Sequence, residues 1–80
     1  MRFTVIWSPV AQDQLADLWL NSTNRNAVTR ASHLIDQLLA IDPDQQGVAF
    51  YGDRLLVVPP LQIVYRINTT DMQVVIDMVW

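Results

Sequence analysis

Apolar and polar positions along the chain switch from a two-residue to a near-four-residue period and back again. Residues 2–7 alternate loosely and are rich in Phe, Thr, Val, Ile and Trp, the pattern of a strand. Ser8-Pro9 then supplies a hydroxyl N-cap followed by proline at the first helical position. Ala11, Leu15, Leu18 and Trp19 follow at helical spacing and predict one apolar face of a short helix. Asn21-Ser22-Thr23-Asn24 is turn and cap chemistry, so this helix stops and a second begins. In the second, Ala27, Ala31, Leu34, Ile35, Leu38 and Ile41 form a wide apolar stripe, with Arg30, His33, Asp36 and Gln37 on the wet side. Pro43 disfavours helical geometry at Asp42 and ends it. Residues 44–53, with Gly47 and Gly52, read as a loop, and three strands follow at about 54–58, 61–67 and 72–80.

The expected fold is therefore α+β, in the order β-α-α-β-β-β, one domain over residues 1–80. Two consecutive helices on a short connection cover one face of a small, twisted, mainly antiparallel sheet and leave the other open. Taking Asn68-Thr69-Thr70-Asp71 as a four-residue hairpin loop puts Ile63, Tyr65 and Ile67 with Met72, Val74 and Ile76 on one face. That set is apolar apart from one hydroxyl and belongs under the helices, with Tyr65 in the core. Gln62, Val64, Arg66, Gln73, Val75, Asp77 and Val79 fall on the opposite face. It is too apolar for a solvated surface and too polar for a core, which points to a partner-binding surface.

Composition narrows the chemistry. The 80 residues contain no cysteine, so disulfide and thiolate chemistry are excluded. All eight acids are Asp and all five bases are Arg, and the net charge of −3 gives no general attraction to nucleic acid. With a single histidine and only Asp42 and Asp44 as a close carboxylate pair, no metal site is expected. No glycine-rich phosphate loop is present, and no cofactor is expected. The opening Met1–Pro9 segment is too short in apolar residues for a secretion signal, and no run approaches a membrane span, so a cytoplasmic protein is expected. Arg54, at the loop-to-strand junction, and Arg66, beside the last hairpin loop, are the candidate catalytic residues; the alternatives are a surface pair with Asp53 for Arg54 and a solubilising charge for Arg66. His33 reads as a solvated helix residue, and Tyr51 as a hydrophobic lid on the loop.

Several segments together resemble the RelE/ParE superfamily of toxins from type II toxin–antitoxin systems. They are Thr4-Val-Ile-Trp-Ser-Pro9, Ala11-Gln-Asp-Gln-Leu15-Ala-Asp-Leu18-Trp19, Arg25-Asn-Ala27-Val28-Thr29-Arg-Ala31, Ile35-Asp36, Asp42-Pro43, Gly47, and Val57-Val58-Pro59-Pro60-Leu61 running into Val64-Tyr65-Arg66-Ile67. The resemblance implies a helical hairpin on a small twisted sheet and a toxin neutralised by a cognate antitoxin on the open face. It leaves open a degenerate, non-toxic partner-binding or dimerisation module, a homodimer, and a ribosome-dependent mRNA endonuclease of RelE type. It also leaves open the target, which is the ribosome and its mRNA in RelE-like members and gyrase in ParE-like ones. The family's nucleases use a cluster of Lys, Arg, His or Tyr, and an arginine frequent in such a cluster falls here at Gln62.

Overall fold

A computed structural model describes residues 2–80. Strand β1 (Thr4–Trp7) leads into helix α1 (Pro9–Asn21) and helix α2 (Arg25–Ile41). A single 3-10 turn (Pro43–Gln45) follows, then strands β2 (Val48–Phe50), β3 (Asp53–Val58), β4 (Leu61–Asn68) and β5 (Gln73–Val79). The five strands form one sheet in the order β1-β5-β4-β3-β2. β1 pairs parallel with β5, and every other pair is antiparallel. The α+β class and the helix-on-sheet layering are as expected, but the order gains a strand. Residues 44–53 are not a loop: they hold the 3-10 turn, β2, and a two-residue turn at Tyr51-Gly52 in which both φ angles are positive, +49° and +87°. That is the backbone of a tight hairpin whose twist matches its strands.

Local chemistry sets the helix starts. Ser8 accepts from the amide of Ala11 at 3.1 Å, and Asn24 accepts from the amide of Ala27 at 3.1 Å. The helices bury one side of the sheet. Ala11, Val28, Ala31, Ile35 and Leu39 meet Leu56, Val58, Leu61, Ile63, Tyr65, Val74, Ile76 and Val79 in one core. The stripe of α2 is rotated from its expected setting: Val28 and Leu39 point inward, while Leu34 and Ile41 are 44% and 55% exposed. Trp7 ties β1 to α2 through its indole N–H, which donates to the carboxylate of Asp36 at 2.8 Å. No helix among the described residues is long and apolar enough to cross a membrane.

The last hairpin differs from expectation in two ways. Asn68 pairs with Gln73 and Ile67 with Val74, so the loop is Thr69–Met72 and the register is shifted by two residues. A shift of two keeps every side chain on its face. The second difference does not. Tyr65 pairs with Ile76 but Val64 pairs with Met78, so Asp77 is an extra residue and β5 bulges there. Beyond the bulge the alternation reverses. Val79, expected on the open face, lies in the core at 2% exposure, and Met78 and Trp80 come to the open face instead.

Candidate partner-binding face

Pleating and register place the open-face side chains in rungs across the sheet. One rung runs Ile6, Val75, Arg66. The next runs Val48, Leu55, Val64, Met78. A third joins Val57 to Gln62, whose N–H and C=O exchange hydrogen bonds of 2.8 and 2.9 Å with the backbone of Trp80. Gln73 and Asn68 close the other end beside Thr4. Gln62, Val64, Arg66, Gln73, Val75 and Asp77 thus stand where the alternation puts them, with none of them in the helix-covered core.

The face has two halves. One is polar: Arg66 donates to the carboxylate of Asp77 at 3.2 Å, with both side chains in contact with solvent, 58% and 32% exposed. Such a pair is worth about 0–1 kcal/mol, so it neutralises the face more than it stabilises the fold. The other half is apolar. Val48, Val57, Met78 and Trp80 are 61%, 54%, 46% and 43% exposed around Val64, which is itself 5% exposed between its cross-strand neighbours Leu55 and Met78. Sequence reasoning missed most of this patch. Met78 and Trp80 are put there by the bulge, and Val48 by a strand too short to alternate visibly. Leu55 and Val57 alternate with the equally apolar Leu56 and Val58, so nothing in the sequence distinguishes the two sides of β3.

Arg54 lies on the other side of the sheet from Arg66, since it pairs with the core residue Tyr65. Its guanidinium donates to the carbonyls of Gln46 and Gly47 at 3.0 and 3.2 Å, not to Asp53. The Tyr65 hydroxyl lies 2.7 Å from the carbonyl of Pro43 and 2.8 Å from that of Gln46, its one proton serving one of them at a time. Burial pushes the Tyr65 phenol above the ordinary tyrosine range, and the neighbouring Arg54 pulls in the opposite direction. Together the two side chains fasten the segment between α2 and β2 to the sheet. Gly47 completes this fastening: its φ is +63°, and a Cβ there would run into the carbonyl of Leu55.

Two other aromatic and titratable candidates lie away from the face. Tyr51 is no lid; at 95% exposure it stands on the β2–β3 turn, edge-on to Phe50 at 4.8 Å between centroids. His33 is exposed on α2 as expected. Clefts occur on the helical side. One of about 460 Å³ lies between α1 and α2 beside Leu15, Trp19, Leu20 and Val28. Another, beside Trp7, is lined by Ser32, His33 and Asp36, with the Ser32 hydroxyl donating to the Thr29 carbonyl and the Asp36 carboxylate accepting from the Trp7 indole. No three His, Cys, Asp or Glu residues among those described are grouped to hold a metal. The uncovered face of the sheet is largely apolar and is bordered by the Arg66–Asp77 ion pair.

Neither a protein-family model nor a curated protein sequence matches the chain. Its likeness is to solved structures. A chain of the toxin–antitoxin complex RelBE2 from Mycobacterium tuberculosis matches with a TM-score of 0.80 at 18% identity, covering 100% of this chain and 91% of that one. A chain of the chromosomal ParDE TA system from P. aeruginosa matches with a TM-score of 0.66 at 13% identity, covering 98% and 94%. The fold is therefore one shared with a chain of each of these two structures, over the whole of the domain.

Proposed function

We propose that this chain is a toxin-like component of a type II toxin–antitoxin system, and that a cognate antitoxin binds across the uncovered sheet face. The observation that carries the reading is the apolar patch of Val48, Val57, Met78 and Trp80 around Val64. Patches of this kind on a small domain mark a docking surface. One structure of the same fold comes from a toxin–antitoxin complex and another from a TA system, which supports an antitoxin as the occupant. Because the chain itself carries a net charge of −3, the antitoxin is held by apolar anchors over this patch more than by opposite charge. Gln62, Gln73 and the Arg66–Asp77 pair form the polar border that fixes its orientation.

Binding a target suits these residues better than cutting mRNA. Nucleolytic cleavage needs a base, an acid and cationic charge near one phosphate. Of the two candidate catalytic arginines, Arg66 is paired with Asp77, and Arg54 is committed to two backbone carbonyls on the far side of the sheet. The toxin-like activity we assign is therefore inhibition by protein contact, of the kind that the resemblance to ParE implies.

The test is expression in a bacterial host, alone and with the product of the short reading frame next to the gene. Growth arrest on expression alone, relieved by the neighbour, is the expected result. A complex with that neighbour should be lost in Val57→Asp and Met78→Asp. Growth unaffected at high expression, with the complex intact, reassigns the chain as a non-toxic binding module. A complex indifferent to both substitutions removes the open face from the account.

A further inference from the structure

α2 carries more apolar surface than its own domain covers. Ala27, Ala31, Leu34, Leu38 and Ile41 recur at spacings of four and three residues in turn, the rhythm by which one helix seats along another. Only part of that seam is used within the domain. Ala31 is buried at 4%, whereas Leu34 and Ile41 stand 44% and 55% exposed. The cause is the direction in which α2 packs. Val28, Ile35 and Leu39 point at the sheet, and α1 lies along the flank holding Thr29 and Ser32, with the Trp19 indole donating to Thr29 at 3.2 Å. Leu34, Leu38 and Ile41 occupy the opposite flank. With Gln37, Asp42 and Gln46 they line an open cleft of about 320 Å³, on the helical side of the domain and away from the open sheet face.

The charges beside this flank identify what covers it. Arg30 lies near the start of α2, and Asp42 and Asp44 lie at and beyond its end, all three exposed. None of them joins an ion pair among the described residues. A strip with a cation at one end, anions at the other and leucine-sized groups between them is its own complement when turned end for end. A two-fold axis through the middle of the strip brings Arg30 of each copy to the same end of the contact as the other's Asp42 and Asp44, and sets the apolar groups against each other. Parallel alignment would place like charges together. An isologous contact of this sort is the commonest way in which soluble chains pair.

We propose that the chain self-associates as an antiparallel, two-fold dimer through the outer flank of α2, centred on Leu34, Leu38 and Ile41. A strip one helix long is small beside the roughly 1,200–2,000 Å² of a standard stable interface, so the dimer forms in the micromolar range. The inference stands apart from the antitoxin reading, because it uses a different surface and needs no second protein.

Sedimentation velocity on the purified chain, from low-micromolar to high-micromolar concentration, tests it. The mass should rise from monomer to dimer. Leu34→Gln and Arg30→Asp should each weaken the dimer by about tenfold or more. Combining Arg30→Asp with Asp42→Arg and Asp44→Arg should restore it, because the reversed strip is again its own complement. Circular dichroism establishes that each variant is folded, and Ile41→Gln replaces Leu34→Gln if the latter is not. A wild-type chain that stays monomeric throughout overturns the proposal, as does a dimer indifferent to both single substitutions. A monomer that loses binding to some other protein on Leu34→Gln gives the flank to that protein and overturns it too.

Discussion

The hydroxyl of Ser8 donates to the carbonyl of Asp77 at 3.2 Å, joining the start of α1 to the residue at which β5 bulges. The same oxygen accepts from the amide of Ala11 and so caps the helix. One side chain thereby serves both a helix terminus and a carbonyl that the bulge takes out of the ladder. Ser8→Ala should cost about 2–3 kcal/mol, against about 1 kcal/mol for Asn24→Ala, whose side chain caps α2 alone. Urea unfolding of the two variants measures the difference, and equal losses would show that the bond to Asp77 contributes nothing.

The bulge makes Met78 and Val79 opposites. Met78→Asp, on the open face, should leave stability within about 0.5 kcal/mol of the parent. Val79→Asp puts an unpaired carboxylate into the core and should cost more than about 3 kcal/mol, enough to unfold a domain of this size. Thermal melts of the pair decide it. A tolerated Val79→Asp would mean that β5 continues without its bulge.

Tyr65 makes stability depend on alkaline pH. Burial raises its folded-state pKa above the value of about 10 in the unfolded chain, so the unfolded chain loses its proton first. The contribution is complete below pH of about 10 and is lost as pH rises from there through the folded-state pKa. Tyr65→Phe should remove that part of the alkaline decline. At neutral pH it should also cost about 1–2 kcal/mol, because the tyrosine hydroxyl no longer bridges the carbonyls of Pro43 and Gln46, which keep only the Gln46 amide and Arg54 as donors. Denaturant midpoints of parent and variant across the alkaline range give both numbers. Parallel pH profiles would refute the assignment.

The two glycines should respond differently to alanine. At Gly47 the added methyl meets the Leu55 carbonyl and the φ of +63° is unfavourable, so both space and backbone oppose it. At Gly52 nothing lies within 4 Å and only the backbone conformation, φ +87°, is strained. Gly52→Ala is expected to cost about 1 kcal/mol and Gly47→Ala more than twice that. Proteolysis between α2 and β3 should accelerate in the Gly47 variant alone, which limited chymotrypsin digestion at Phe50 and Tyr51 would register.

Much of this fold can be read from local signals. Ser8-Pro9 and Asn24 start their helices as their cap chemistry demands, and Ile63, Tyr65, Val74 and Ile76 go under the helices as a two-residue period requires. What was not legible depends on distant partners. Val48-Ala49-Phe50 is too short to show a period and becomes a strand only because Asp53–Leu55 lies beside it. The bulge at Asp77 answers to Ser8, 69 positions away. The rotation of α2, which exposes Leu34 and Ile41, follows from where α1 rests, and the helix's own pattern is broad enough to allow either setting. Which side of the sheet Gln62, Arg66, Gln73 and Asp77 stand on was legible from the two-residue period, whereas the places of Met78 and Trp80 depend on that one extra residue.

The borders of the sheet govern how a visiting chain can approach. Past the end of β1, the amide of Val79 is already occupied by the Gln14 side chain at 2.9 Å; just before β1, Ala40 takes the Phe3 amide, and at its last residue Gln12 takes the Trp7 carbonyl. On the opposite border β2 offers three residues. Neither margin presents a long free ladder for another strand to zip onto, so an incoming polypeptide gains most by lying athwart the strands like a strap over a raft. Its grip then comes from side chains set into the surface rather than from backbone pairing along an edge.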